Sequence, residues 1–305
     1  MNTIAKLLKL KKQRNAIILA HYYQDPDIQD VADFMGDSLA LAQYAQQTTA
    51  DVILFCGVHF MSETAKILNP TKKVIIPDMD AGCSLADSAA SLEFKKWVDK
   101  HPNHTLVSYI NCSAEVKAMS DIICTSSNAD KIINSIPITQ PILFAPDQFL
   151  GKYLIKQTKR DLTLWNGFCQ VHVMFSLKEL TKLKIRHPKA QIIAHPECEE
   201  KILNHADFIG STTGLIKYTQ KKEFSEFIVI TEPGVIHQMQ KLNPHKKYIP
   251  LANNEGCACN ECPHMRLNTI EKMIKALETL EPEIILSPDL INKAKKPLIK
   301  MLELS

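Results

Sequence analysis

The chain has 305 residues, 45% of them apolar and 23% charged, and a formal net charge of +3 spread over well-mixed lysine, arginine, aspartate and glutamate. That balance belongs to an ordinary soluble globular protein of about two domains' length. It contains no basic block suited to a nucleic-acid groove and no stretch near transmembrane length, so neither nucleic acid nor a membrane is expected as a partner.

The first twelve residues are basic and amphipathic, but lysines interrupt them too often for the apolar core of a signal peptide. A cytoplasmic protein is the expectation. Disulfides are disfavoured there, and nine cysteines then point to metal, catalysis or plain burial. After an N-terminal helix, short β-rich runs cover 16–20, 51–55, 73–76, 105–110, 121–124, 141–145, 161–165, 191–194, 207–209, 226–231 and 247–249. Helical stretches at 38–47, 61–68, 113–119, 199–204 and 269–280 lie between or after them. This alternation predicts parallel sheets with crossover helices, and strands apolar along their whole length predict sheets covered on both faces. Cys56 and Cys124 end apolar runs and read as core residues.

A coarse repeat runs through the chain. One strand ends in His21-Tyr22-Tyr23, another in Tyr109-Ile110-Asn111 and a third in His195-Pro196-Glu197, spaced by 88 and 86 residues. The strands that follow them end in Cys56-Gly57, Thr125-Ser126-Ser127 and Gly210-Ser211-Thr212, and a cysteine comes later in each unit: Cys83, Cys169 and Cys262. The expected architecture is α/β: three similar three-layer α/β/α domains with parallel sheets, in pseudo-threefold arrangement around a central active site. The expected domains are 1–100, 101–187 and 188–305, with boundaries near His101 and Pro188 in polar, proline-containing turns.

Polar residues at strand ends are held rigidly while their side chains stay available, and His21, Tyr109, Asn111, His195 and Glu197 share that placement. A histidine taken singly is as often structural. With nine glycines there is no dinucleotide fingerprint and no phosphate loop. Ser38 after Gly36-Asp37, Thr125-Ser126-Ser127 and Gly210-Ser211-Thr212 stand where helices start. Their hydroxyls suit a phosphate or carboxylate, or simple N-capping. Cys257, Cys259, Cys262 and His264 suit a local zinc site, although the C-x-C spacing is tight for one. One cysteine from each of three units suits instead an iron–sulfur cluster with one iron lacking a protein ligand, and thus dehydration chemistry. A different class of reading is a zinc-stabilised α/β module that binds a phosphorylated small ligand without catalysis.

The segments His21-Tyr22-Tyr23-Gln24, 77–86 around Cys83, Tyr109-Ile110-Asn111, 124–129, Gly167-Phe168-Cys169-Gln170-Val171-His172, His195-Pro196-Glu197-Cys198, 209–212 and Cys262-Pro263-His264-Met265 resemble, in that order, those of the quinolinate synthase family. The resemblance covers nearly the whole chain. It implies an enzyme of de novo NAD biosynthesis that condenses iminosuccinate (iminoaspartate) with dihydroxyacetone phosphate to quinolinate, phosphate and water. It further implies a [4Fe–4S] cluster held by Cys83, Cys169 and Cys262. Glu197 matches the family's acid/base residue, with His195, Tyr109 and Tyr23 as helpers. His21, Ser38, Tyr109, Ile110, Asn111, Ser126, His195, Pro196, Glu197 and Thr212 then line the substrate site. Ser126, Ser211 and Thr212 are expected to face phosphate or carboxylate. His264 stands where the family pattern has Tyr or Trp, and a Cys257–Cys262 pair is the expected disulfide if one forms. Because the imine hydrolyses in water, a transient contact with L-aspartate oxidase or aspartate dehydrogenase is a further expectation.

Overall fold

The apolar runs form strands and the intervening segments form helices, three times over. The first unit holds α1 (Thr3–Gln13), β1 (Ala16–His21), α2 (Pro26–Val31), β2 (Phe34–Gly36), α3 (Ser38–Gln47), β3 (Val52–Cys56), α4 (His59–Leu68), β4 (Lys73–Ile75), α5 (Ser84–Ser88) and α6 (Leu92–Asp99). The second holds β5 (Thr105–Tyr109), α7 (Ala114–Met119), β6 (Ile122–Cys124), α8 (Ala129–Ser135), β7 (Ile142–Ala145), α9 (Gln148–Thr158), β8 (Leu162–Leu164), α10 (Gln170–Val173) and α11 (Leu177–Arg186). The third holds β9 (Gln191–Ala194), α12 (Glu200–Leu203), β10 (Phe208–Ile209), α13 (Thr212–Thr219), β11 (Glu226–Ile230), α14 (Val235–Leu242) and β12 (Lys247–Pro250). A 3-10 turn (Met265–Leu267), α15 (Ile270–Thr279) and α16 (Pro288–Glu303) complete the chain. This computed structural model describes residues 3–90, 92–253 and 260–305. Cys257 and Cys259 lie outside the described residues, and with them the local zinc set and the Cys257–Cys262 pairing.

All three sheets have four strands in one order, β2-β1-β3-β4, β6-β5-β7-β8 and β10-β9-β11-β12, and every pair is parallel. Both faces of each sheet are covered, so the central strands are apolar throughout: Val52 to Cys56 in β3 and Ile142 to Ala145 in β7 are all buried. Cys56 and Cys124 are core residues, as their sequence setting suggests. The repeat extends to single hydrogen bonds. The residue before each second strand is an aspartate whose carboxylate accepts a backbone N–H of the neighbouring first strand: Asp33 from Ile18 at 2.8 Å, Asp121 from Leu106 at 2.7 Å and Asp207 from Ile192 at 2.8 Å. These aspartates show the same 88- and 86-residue spacing as the strand ends.

One strand lacks a sequence signal. β2 is three residues, Phe34-Met35-Gly36, too short to show an apolar run. Its presence corrects the internal alignment. The counterpart of Thr125-Ser126 and Ser211-Thr212 is Asp37-Ser38, which follows the second strand of its unit, whereas Cys56-Gly57 follows the third. The two C-terminal helices cross back: α15 packs on α1 and β3, while α16 packs on α7, β6 and α4.

Candidate active site

Parallel register brings the carboxyl ends of the three first strands to one central cavity. His21, Tyr109 and His195 occupy the same place in their units, as do Tyr23, Asn111 and Glu197, and Ser38, Ser126 and Thr212. All nine line the cavity together with Cys83, Cys169 and Cys262. Ile110 and Pro196 do not line it. They sit between lining residues in the turns that follow the strands, buried, and Ile110 belongs to the apolar core.

Two glycines permit the close approach of the units. A Cβ at Gly234 would lie 3.0 Å from the backbone of Tyr23, across the boundary between the third and first units. One at Gly167 would lie 2.5 Å from the Pro146 carbonyl oxygen and against Ser88 of α5. Gly167 therefore lets the Cys169 loop settle beside the helix that begins after Cys83.

The strand-end histidines are fixed by their own loops. Nδ1 of His21 accepts the Tyr23 N–H at 3.2 Å, and Nδ1 of His195 accepts the Glu197 N–H at 3.4 Å. In each neutral ring the proton is thus on Nε2, and in His195 that atom donates to the Ser126 hydroxyl at 3.3 Å. Burial pushes both imidazoles down to about 4, against the upward pull of Glu197 and Asp37.

Glu197 is buried, and burial alone would raise its pKa. His172 and His195 outweigh this, with hydrogen bonds from His172 and Tyr109, and hold the carboxyl at about 2. Tyr109 and Tyr23 are pushed well above the usual phenol value, chiefly by burial, so both keep their protons. A continuous hydrogen-bonded chain joins Tyr23 to Glu197. The Tyr23 hydroxyl lies 2.7 Å from Thr231 Oγ1 and 3.0 Å from Thr212 Oγ1, and Thr231 Oγ1 lies 3.0 Å from His172 Nε2. His172 Nδ1 stands 2.9 Å from Glu197 Oε2. With Nδ1–H donating to the carboxylate, His172 Nε2 accepts from Thr231, and Thr231 accepts from Tyr23. The chain links a phenol to an ionised carboxylate across two units.

On another wall, Asp37 caps α3 by accepting the Ala40 N–H at 3.1 Å and also accepts the Ser127 hydroxyl at 3.2 Å. Ser211 caps α13 by accepting the Gly214 N–H at 3.2 Å, so of the adjacent hydroxyls it is Thr212 that lines the cavity. Asn111 Oδ1 is buried without a hydrogen-bond partner and is free to accept from a bound molecule.

The three cavity cysteines share one local design. Backbone N–H groups point at each sulfur: those of Leu85 and Ala86 at Cys83, that of His172 at Cys169, and those of His264 and Met265 at Cys262. Burial raises all three thiols, Cys83 to about 12, and nearby thiols add to this at Cys83 and Cys169. Three thiols from three loops, within charge reach of one another and supplied with N–H donors to sulfur, fit the donor set of a cysteine-held iron–sulfur group. Ligand atoms of Cys169, His172 and Glu197 also lie within 4.8 Å of one another, a set able to hold a single metal ion.

Several residues that line the cavity or join its side chains were not singled out from the sequence. His172 has a local signal, three positions after Cys169 on the one-turn helix α10. Glu232, two residues past β11, is a polar strand end of the same kind as Glu197. Asp37 reads only as a cap, and Thr231 is recognisable only from its partners in space.

Fold and site together define a threefold-repeated α/β protein with a hydrogen-bonded chain from a phenol to a carboxylate and three cysteines around one cavity. The family model described as quinolinate synthetase A protein (NadA) matches residues 5–303. The quinolinate synthase of Nostoc sp. is 60% identical over 305 residues, covering 100% of this chain and 94% of that protein. That of Trichodesmium erythraeum is 61% identical over 296 residues, covering 97% and 92%, and that of Synechocystis sp. is 58% identical over 302, covering 99% and 95%. This chain belongs to the quinolinate synthetase A family. Among solved structures, the E-1-hydroxy-2-methyl-but-2-enyl-4-diphosphate reductase of Plasmodium falciparum aligns with a TM-score of 0.33 and 9% identity over 92% of this chain and 95% of that one, too distant a likeness to carry an argument. Among the described residues no helix is long and apolar enough to cross a membrane.

Proposed function

We propose that this chain condenses iminosuccinate with dihydroxyacetone phosphate to quinolinate, phosphate and water in NAD biosynthesis, in the cytoplasm, with a [4Fe–4S] cluster held by Cys83, Cys169 and Cys262. The observation that carries this reading is the shared cavity: three cysteines, one from each unit, face the same space as Glu197 and its hydrogen-bonded chain. When bound, a cluster with one iron free of protein ligands supplies Lewis acidity for the loss of hydroxide.

The remaining steps need proton transfers and the holding of anions. Glu197, ionised at neutral pH, takes a proton from a substrate carbon or nitrogen. Tyr23 gives one, and Thr231 and His172 hold the phenol and the carboxylate in one hydrogen-bonded chain whose donors all point toward Glu197. Tyr109 donates its hydroxyl to Glu197 and orients it. His21 and His195, neutral with Nε2–H, add donors without adding charge. Ser38 and Thr212, the first residues of α3 and α13, and Ser126, in the turn before α8, receive the phosphate and carboxylates, and Asn111 Oδ1 accepts from an N–H or O–H of the substrate.

We also propose the division into units 1–100, 101–187 and 188–305, the last lending α15 and α16 to the other two. A transient contact with L-aspartate oxidase or aspartate dehydrogenase completes the reading, since it would shelter the imine. A channelling assay showing the imine diffusing freely would remove that part.

Iron and acid-labile sulfide content of protein purified without oxygen is the direct test, followed by an assay of quinolinate formation. The expected result is about four of each per chain, lost in Cys83→Ala, Cys169→Ala and Cys262→Ala alike. The Cys169–His172–Glu197 grouping supports a second reading, a single metal ion on those three ligands. Its signature would be about one zinc per chain, lost in Cys169→Ala and kept in Cys83→Ala. It would leave Cys83 and Cys262 without a role and occupy the acid–base chain.

A further inference from the structure

The loops that carry the three cysteines are tied to their sheets in two ways. In the first unit the residue after Val58, His59, donates its backbone N–H to the carbonyl of Ala81, two residues before Cys83, at 2.7 Å. In the second unit the residue after Asp147, Gln148, donates in the same manner to Gly167, two residues before Cys169, at 2.9 Å. Val58, Asp147 and Glu232 are counterparts, each two residues beyond the end of the third strand of its sheet. In the third unit the next residue is Pro233, which has no N–H to give. The backbone tie used twice is chemically impossible there.

A side chain stands in its place. Glu232 is fully buried, and its Oε1 accepts the backbone N–H of Cys262 itself at 3.4 Å. Oε2 accepts the Gly234 N–H at 2.7 Å, which holds the carboxylate against its own loop. The same Oε1 accepts from an Arg266 guanidinium nitrogen at 2.7 Å, and another Arg266 nitrogen donates to the Tyr23 carbonyl at 2.9 Å. Glu232 therefore sits where the Cys262 loop, the third sheet and the first unit's catalytic strand end meet.

We propose that Glu232 is a positioning residue for Cys262, the side-chain substitute for the backbone tie that Pro233 removes. It acts with Arg266 to keep this cysteine in register with Cys83 and Cys169. The inference rests on the reading that the three cysteines hold a cluster. The Asp147 carboxylate faces the Cys169 N–H in the same way, but that loop keeps its backbone tie as well, so among the described residues Cys262 is the one of the three cysteines that has the side-chain contact without the backbone tie.

The experiment compares the parent with Glu232→Gln, which keeps an acceptor oxygen, and Glu232→Met, which keeps the length and removes the acceptor. Each protein is reconstituted with iron and sulfide without oxygen, and release of iron to a ferrous chelator is followed. Glu232→Met is expected to lose iron about ten- to a hundredfold faster than the parent, as is common when the partner that orients a metal ligand is removed, while Glu232→Gln stays within about threefold. Equal rates in all three proteins would overturn the proposal, and so would equally fast release from both variants, since charge rather than an acceptor would then be at work. Amide hydrogen exchange on the unmodified protein gives a second measurement should Glu232→Met fail to fold. Slow exchange at the Cys262 N–H supports the tie, and exchange at the unprotected rate overturns it. A parent that takes up no iron would strike the cluster reading itself, a result distinct from these.

Discussion

The first and third units end their first strands with the same device and put it to different uses. In both, a buried neutral histidine, His21 or His195, accepts through Nδ1 the N–H of the residue two positions on, and so turns that residue into the cavity. In the first unit the residue delivered is Tyr23, and in the third it is Glu197. These equivalent positions become the two ends of one hydrogen-bonded chain, joined by Thr231 and His172 of other segments. The repeated backbone supplies placement, and the chemistry comes from letting the repeats diverge at the delivered residue. The second unit diverges furthest, with Tyr109 in place of the histidine and Asn111 in place of the acid or phenol.

The sharpest way to break this comparison is at the delivered residues. Glu197→Gln keeps the shape and removes the proposed base, and is expected to lower kcat for quinolinate formation by about a hundredfold to ten-thousandfold with iron content unchanged. Asn111→Ala, at the equivalent place in the second unit, removes one acceptor and is expected to cost about tenfold. Equal losses in the two variants would mean that the units share the chemistry evenly.

The two histidines carry the next largest effect, in stability. Each remains neutral in the fold down to about pH 4, whereas in the unfolded chain it binds a proton below about pH 6.5. Between those values the unfolded chain holds more protons, so each histidine's contribution is fully present above about pH 6.5 and falls as the pH drops toward 4. The loss is about 2 kcal/mol per histidine between pH 7 and pH 5. Glu232, raised by burial to about 8 despite Arg266, works in the opposite sense, its contribution being lost as pH rises through that value. Urea unfolding of the metal-free protein at both pH values, for the parent and for His195→Gln, separates the two. The variant should lose about 2 kcal/mol less on acidification, and an unchanged difference would show that His195 is not held neutral.

Much of this frame could be read directly from residues. The parallel α/β architecture followed from apolar runs alternating with helical segments, and the threefold repeat from His21, Tyr109 and His195 with the later cysteines. The repeat's internal register did not, because Phe34-Met35-Gly36 is too short to announce a strand, and without it Ser38 has no visible relation to Ser126 and Thr212. Cys83 and Cys169 stood out because each closely follows a glycine, and Cys262 because a proline comes directly after it. Thr231 escaped notice because its part is defined by Tyr23, 208 residues away, and His172, 59 residues away. Asp37 and Glu232 resemble an ordinary cap and an ordinary strand end until the cavity is assembled.

Thr231→Val tests whether the two delivered residues act as one system. It removes the hydroxyl between Tyr23 and His172 at nearly constant volume, and a loss of about tenfold in kcat with little change in KM is expected. Full activity would mean that Tyr23 and Glu197 exchange protons with the substrate independently.

The smallest effect tests the frame rather than the chemistry. Asp33, Asp121 and Asp207 make the same hydrogen bond to the first strand of their own sheets, at 2.8, 2.7 and 2.8 Å. If the three units differ only in the residues they deliver, Asp33→Ala, Asp121→Ala and Asp207→Ala should each destabilise the protein by about 0.5–1.5 kcal/mol, the range for a single hydrogen bond whose acceptor stays partly in water, and by similar amounts. Thermal unfolding of the three variants measures this. A large loss at one aspartate and none at the others would show that the repeat, though regular in geometry, is not regular in energy. The position of the larger loss would identify the unit on whose first strand the other two depend.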